Sequence, residues 1–170
     1  MIMDIEQMKI ELEKSVGTKI FGHCIRTMEE SQKLAKTYNI DMNKAKIAGL
    51  LHDCGKLWDK QTDNLRHAKV GAELAKKKYN IEDVDILNAI RYHTTGREAM
   101  SMLEKIIYIA DKIEPNRNFE GVEEMRKLAY ENINEAIIKS LISTISYVKQ
   151  RNLELDTESL KTLNFLNKRR

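Results

Sequence analysis

Almost every stretch of this chain repeats its apolar residues at a period near 3.6, and almost none alternates at a period of two. Only a helix gathers such positions onto one face, so the class is all-α. Seven glycines and one proline sit at what read as helix ends, and no repeat, low-complexity tract or linker divides the chain. Its 170 residues are read as one domain, 1–170, long enough to bury a core.

The pattern predicts a short helix over 3–15 stopped at Gly17, then a second over 20–38. In the second, Ile20, Cys24, Met28 and Leu34-Ala35 face inward, while Arg26, Glu29, Glu30 and Lys33 face mostly outward. Asp41 is a good N-cap for a third helix running to His52. A polar loop, Asp59 to Asn64, precedes helices over about 66–79 and 83–92, the latter followed by Gly96 in a position suited to positive φ. The strongest apolar stripe, Leu103, Ile106, Ile107, Ala110 and Ile113, marks a helix from Ser101. It ends at Glu114-Pro115, because the residue before proline avoids the α region. Helices over 121–130, 133–149 and 157–166 finish the chain and are expected only to pack.

Charge and cysteine content narrow the function. A formal net charge of +3 gives no footprint for nucleic acid, and Lys168-Arg169-Arg170 reads as a frayed tail. Cys24 and Cys54 lack framework spacing and read as reduced thiols. The N-terminus has no apolar signal region, and the longest apolar run, 106–110, is far too short to span a bilayer. The expectation is a soluble cytoplasmic protein with no membrane partner.

The chemistry gathers at few positions. A helical run ends in His52-Asp53, followed by Gly55 and Lys56. Adjacent side chains on a helix diverge by about 100°, so the pair can serve one ion only at a helix end where the backbone opens. Gly55 is expected to cap that end. The chain's four histidines, His23, His52, His67 and His93, fall near helix ends or core-adjacent faces, and Asp111 lies beside the strongest stripe. Imidazole with carboxylate suits Fe or Mn, and Zn is compatible, although a structural zinc site would show paired cysteine spacings. A thiolate ligand from Cys24 or Cys54 stays open, beside the reading of both as small core residues.

The order His23…His52-Asp53…Asp111 resembles the HD superfamily of metal-dependent phosphohydrolases. Four stretches narrow it: His23-Cys-Ile-Arg26, His52-Asp53-Cys-Gly-Lys56, His93-Thr94-Thr95-Gly96, and Ile109-Ala110-Asp111-Lys-Ile-Glu-Pro115-Asn-Arg117. Together they resemble the YqeK-type HD proteins, the symmetrical bis(5'-nucleosyl)-tetraphosphatases, over about residues 20–120. Cys54-Gly55 inside the doublet motif departs from that branch and occurs in others. The resemblance implies a single-domain helical bundle with a metal site between central helices, and 121–170 as C-terminal packing helices. It implies iron held by His23, His52, Asp53 and Asp111, with His67 and His93 completing a second metal site or contacting phosphate. It also implies hydrolysis of diadenosine tetraphosphate to two ADP, by metal-activated water attacking an inner phosphate.

A tetraphosphate needs cations, and Arg26, Lys56 and Arg117 follow the ligand positions closely. Lys56 and Asp53 are expected to act in catalysis, Asp111 to border the substrate, and Thr94 and Thr95 to meet phosphate oxygens. Arg91 and Arg97 are read as surface charges. Trp58, Tyr92 and Tyr108 are candidates for the adenine pocket. A nucleotidase or phosphodiesterase on a mono- or cyclic nucleotide, and a non-catalytic nucleotide sensor, are the competing readings. The oligomeric state, a homodimer included, is left open.

Overall fold

The computed structural model describes residues 3–57 and 66–170. Trp58 and the loop read over 59–64 lie outside the described residues. Among these there are eight helices and no strand: α1 (Ile5–Thr37), α2 (Met42–Leu51), α3 (His67–Lys78), α4 (Val84–Arg91), α5 (Met102–Ile113), α6 (Val122–Glu131), α7 (Ile133–Gln150) and α8 (Thr157–Asn167). The break expected at Gly17 is a kink inside α1, where φ 80 and ψ 165 are open only to glycine. Short polar side chains start most helices. Asp4, Asp41, Asp83, Ser101, Asn132 and Asp156 each accept from a backbone N–H of the first turn. Ser101 and Glu104 form a reciprocal capping box.

The centre of the fold is α5, which packs against α1, α2, α4, α6 and α7. Besides the predicted stripe, Tyr108 and Ile109 are buried, so the helix is enclosed all round. Asp111 is thereby carried into the interior one turn before the helix stops at Glu114. Arg126 of α6 holds the turn that follows. Its guanidinium donates to the carbonyls of Ile113 (3.0 Å), Glu114 (3.0 Å) and Arg117 (2.9 Å).

Several sequence expectations are corrected. Gly22, Gly49 and Gly71 lie within helices. A Cβ on Gly49 would stand 2.9 Å from the Met28 Cα, so this glycine permits close approach of α1 and α2. Gly55 is not a left-handed cap; the positive φ in this turn belongs to Leu57 (φ 61). What excludes a side chain at Gly55 is α3, since a Cβ there would lie 2.2 Å from the His67 carbonyl oxygen and 2.5 Å from the Gly71 nitrogen. Glu30 is buried rather than outward and accepts from the Tyr130 hydroxyl at 2.6 Å. The C-terminal tail is tied down, with Arg170 donating twice to Glu135 at 2.7 Å. Gly96 does take the expected positive φ of 65.

The Gly55 contact yields a prediction. Gly55→Ala must push α3 away from the turn after α2, because the obstructing atoms are backbone. Overpacking of this kind costs about 3 kcal/mol. Chemical denaturation should show that loss, and an unchanged midpoint would contradict the contact.

Candidate metal centre

Helix ends bring the histidines together. His52 is the C-cap of α2, and Asp53 follows in the opened turn. His67 begins α3, His93 follows the C-cap of α4, and His23 projects from the middle of α1. Their Nε2 atoms converge on Asp53, whose two oxygens face different pairs. Oδ2 lies 3.5 Å from His23 and 3.4 Å from His52. Oδ1 lies 3.2 Å from both His67 and His93. On the first side Asp111 Oδ1 adds contacts of 2.8 Å to His23 and 3.4 Å to His52. Two donor groups result, His23–His52–Asp53–Asp111 and Asp53–His67–His93, with Asp53 common to both.

The donor chemistry fits a cation in each group. His52 Nδ1 donates to the Gly49 carbonyl at 2.7 Å, and His93 Nδ1 to that of Ile90 at 2.7 Å. These bonds fix the tautomers and turn the Nε2 lone pairs toward the centre. Yet Nε2 of His23 and His52 stand 3.1 Å apart, and those of His67 and His93 3.2 Å apart. Such spacing matches the ligand–ligand edge around a first-row metal, about 3 Å for bonds near 2.1 Å. Asp53 Oδ2 is buried and pairs in charge with Lys56 at 3.1 Å, but accepts no hydrogen bond of good geometry. The set of N and O donors suggests a divalent metal. Neither cysteine belongs to these groups. The Cys54 thiol donates to the Gly71 carbonyl, and burial, then Asp53, pushes its pKa up to about 12. Cys24 is a buried core residue.

Electrostatics tell the same story. Burial pushes both carboxyls upward, but neighbours outweigh it and hold them well below the usual range. Charge on His52, with the His67 and His93 imidazoles close by, does this for Asp53; Lys112, His23 and His52 do it for Asp111. Burial opposes charge on His52, yet Asp53 and Asp111 overcome it and push its pKa up to about 10. Burial, reinforced by His52, holds His93 below its ordinary value against the pull of Asp53. Two buried carboxylates thus demand positive charge, and without a metal they recruit a proton onto His52.

The expected cations are present, two engaged with carboxylates of the cluster and Arg26 with the neighbouring Glu114. Lys56 pairs with Asp53, Arg117 donates to Asp111 Oδ1 at 3.0 Å and to its carbonyl at 2.8 Å, and Arg26 donates to Glu114 at 2.6 Å. Thr94 and Thr95 line the adjoining cleft, though the Thr95 hydroxyl already donates to the Gly96 carbonyl. Arg91 and Arg97 pair with Glu73 and Glu104, away from that cleft. Tyr108 is wholly buried and Tyr92 lies under the Arg97 guanidinium, and neither borders the cleft. Trp58 lies outside the described residues.

Sequence reasoning missed three features. Lys112 holds Asp111 Oδ2 at 2.9 Å, and Glu114 faces His23 Nδ1 at 3.5 Å. Both stand within three residues of Asp111, which was the available signal. The third is a cleft wall built from Thr144, Tyr147 and Val148 of α7, Ser159 of α8 and the connecting 153–156. The last helices therefore border the site as well as packing. No sequence signal marked this wall, whose Tyr147 and Leu153 are exposed large side chains.

Comparison with known proteins places this arrangement. Residues 20–116 match the HD domain family. The chain is 42% identical over 164 residues to the symmetrical bis(5'-nucleosyl)-tetraphosphatase of Halalkalibacterium halodurans, covering 86% of this chain and 88% of that one. It belongs to the HD domain family, in the branch of these tetraphosphatases. The same-named protein of Bacillus subtilis is 38% identical over 162 residues, covering 85% of this chain and 87% of its own. A crystal structure from Clostridium acetobutylicum, described as a predicted HD superfamily hydrolase involved in NAD metabolism, matches with a TM-score of 0.94. It is 37% identical and the match covers 100% of both chains.

The His52 proton gives this HD site a testable pH dependence. A metal must displace that proton, so competition weakens as pH rises toward about 10. Apparent affinity for a divalent metal should climb roughly tenfold per pH unit between about pH 6 and 9. Titration calorimetry checks this, and a flat affinity over that range would contradict it.

Proposed function

We propose that this HD protein hydrolyses diadenosine tetraphosphate symmetrically, giving two molecules of ADP. Identity of 42% to a relative named for symmetrical tetraphosphate cleavage, spanning 88% of it, carries the reading. The doubled donor set beneath a cleft lined by Lys56, Lys112 and Arg117 supplies matching chemistry. No observation favours the sensor or the mononucleotide readings.

His23, His52, Asp53 and Asp111 would hold one metal, and Asp53, His67 and His93 could hold a second, Asp53 being common to both groups. We take iron as the first choice for both, with manganese and zinc as alternatives. When bound, such metals lower the pKa of water and polarise a phosphoryl oxygen. The chain's own residues do the rest. Lys56 and Arg117 border the cavities beside Asp53, where they would meet the inner phosphates. Their interactions strengthen as charge moves onto the departing ADP oxygen in the transition state. Lys112 and Arg117 fix the Asp111 carboxylate from opposite oxygens. Glu114, itself gripped by Arg26, orients His23 through Nδ1. Thr94, half-buried in the cleft wall, offers a hydroxyl to a phosphate oxygen.

No described helix is long and apolar enough to cross a membrane. We assign the protein to the cytoplasm, with no nucleic-acid partner.

Chromatography of the reaction tests this reading. Diadenosine tetraphosphate should give ADP as its only nucleotide product, and equal ATP and AMP would refute symmetrical cleavage. Lys56→Ala should keep its metal while kcat/KM falls about 10- to 1000-fold. Wild-type kinetics in that variant would remove Lys56 from the reaction.

A further inference from the structure

The turn that follows α5 carries two side chains that bear on the metal centre. Glu114 faces His23 Nδ1 at 3.5 Å, and Arg117 donates to Asp111 Oδ1 at 3.0 Å. His23 stands on α1 and Asp111 on α5, and both belong to one donor group, so a displaced turn disturbs two of its members at once. Yet the turn runs over the surface, with Pro115 and Asn116 exposed between those two residues. The carbonyls that end a helix have no partner within it, and proline supplies no N–H to the turn. These carbonyls need a donor from elsewhere if the turn is to keep one shape.

Arg126 is that donor. Its Nε donates to the Ile113 carbonyl at 3.0 Å, and its Nη2 to those of Glu114 at 3.0 Å and Arg117 at 2.9 Å. A guanidinium is planar and holds its donors in a fixed fork, so the three carbonyls are fixed relative to one another. Two further bonds transmit that shape to the side chains. The Arg117 N–H donates to the Glu114 carbonyl at 2.9 Å, and the Asn116 N–H to Glu114 Oε2 at 3.0 Å. The arginine reaches out from a packed helix, since Val122, Met125 and Ala129 of α6 are buried. Its outer nitrogen, Nη1, pairs with the exposed Glu123. Arg126 lies beyond the HD match, which ends at residue 116, on a helix expected only to pack.

We propose that Arg126 is a positioning residue for the metal and phosphate site. It acts along two branches, through Glu114 on His23 and through Arg117 on Asp111 and the bound phosphates. The first branch concerns metal binding alone. The second rests on the tetraphosphatase reading, because its consequence is read in turnover.

Calorimetry with manganese measures the first branch, and kcat/KM for diadenosine tetraphosphate at saturating manganese isolates the second. Arg126→Ala should weaken the metal about tenfold, as loss of a partner outside the ligand set does, and lower kcat/KM by about as much. In an Arg117→Ala background the same change should lower kcat/KM by less than about threefold, because that branch is already cut. A mere loss of folded protein would instead lower it equally in both backgrounds. Glu123→Gln removes only the surface pair and should alter neither quantity by more than about twofold. If Arg126→Ala does not fold, Arg126→Lys carries the test. It keeps the charge without the rigid fork, and each quantity should fall about threefold. Wild-type metal affinity in the Arg126 variant that folds would overturn the proposal, as would an equal loss of kcat/KM with and without Arg117. Failure of the wild-type protein to cleave the dinucleotide, with metal affinity still dependent on Arg126, would overturn the activity reading and support the first branch.

Discussion

The Asp53 carboxylate is the constraint on which the rest depends. It is buried, and each of its oxygens faces two imidazole nitrogens. Taking a carboxylate out of water costs several kcal/mol unless cations and hydrogen bonds replace the solvent. Here the replacement comes from four histidines on different elements, one lysine, and the positive charge that the two donor groups call for. Because one carboxylate joins both groups, neither can move without the other.

Much of the helical architecture serves that convergence. His52, His67 and His93 all sit at helix termini, where a side chain escapes the cylinder of its own helix and can meet partners from elsewhere. The close contact of Gly55 with the first turns of α3 brings His67 to Asp53, and Gly49 lets α2 lie against α1, which bears His23. Asp111 arrives on the most buried helix of the fold. The turn beyond it is pinned by Arg126, so Arg117 and Glu114 stand at fixed places around the same group.

Local rules account for what the sequence revealed. Helix boundaries followed from Asp41, Asp83, Ser101 and Pro115 because caps and proline act through neighbours in the chain. The donor set was legible because only four histidines exist and each occupies a place where a helix end or a core-facing side was expected. What stayed hidden depended on contacts between distant segments. Gly55 looked like a cap because a backbone collision with α3 leaves no mark in local sequence. Tyr108 looked like a base-stacking residue, but α5 is enclosed on every side. The α7–α8 wall escaped notice because its residues lie far along the chain from Asp111 and include no histidine or metal motif.

The proposal that Asp53 serves both donor groups is tested most directly by anomalous diffraction from crystals grown with iron or manganese. The account predicts two metal peaks, one on each side of the Asp53 carboxylate. One should be held with His23, His52 and Asp111, the other with His67 and His93. A single peak that leaves His67 and His93 without metal, or metal bound away from Asp53, would contradict it.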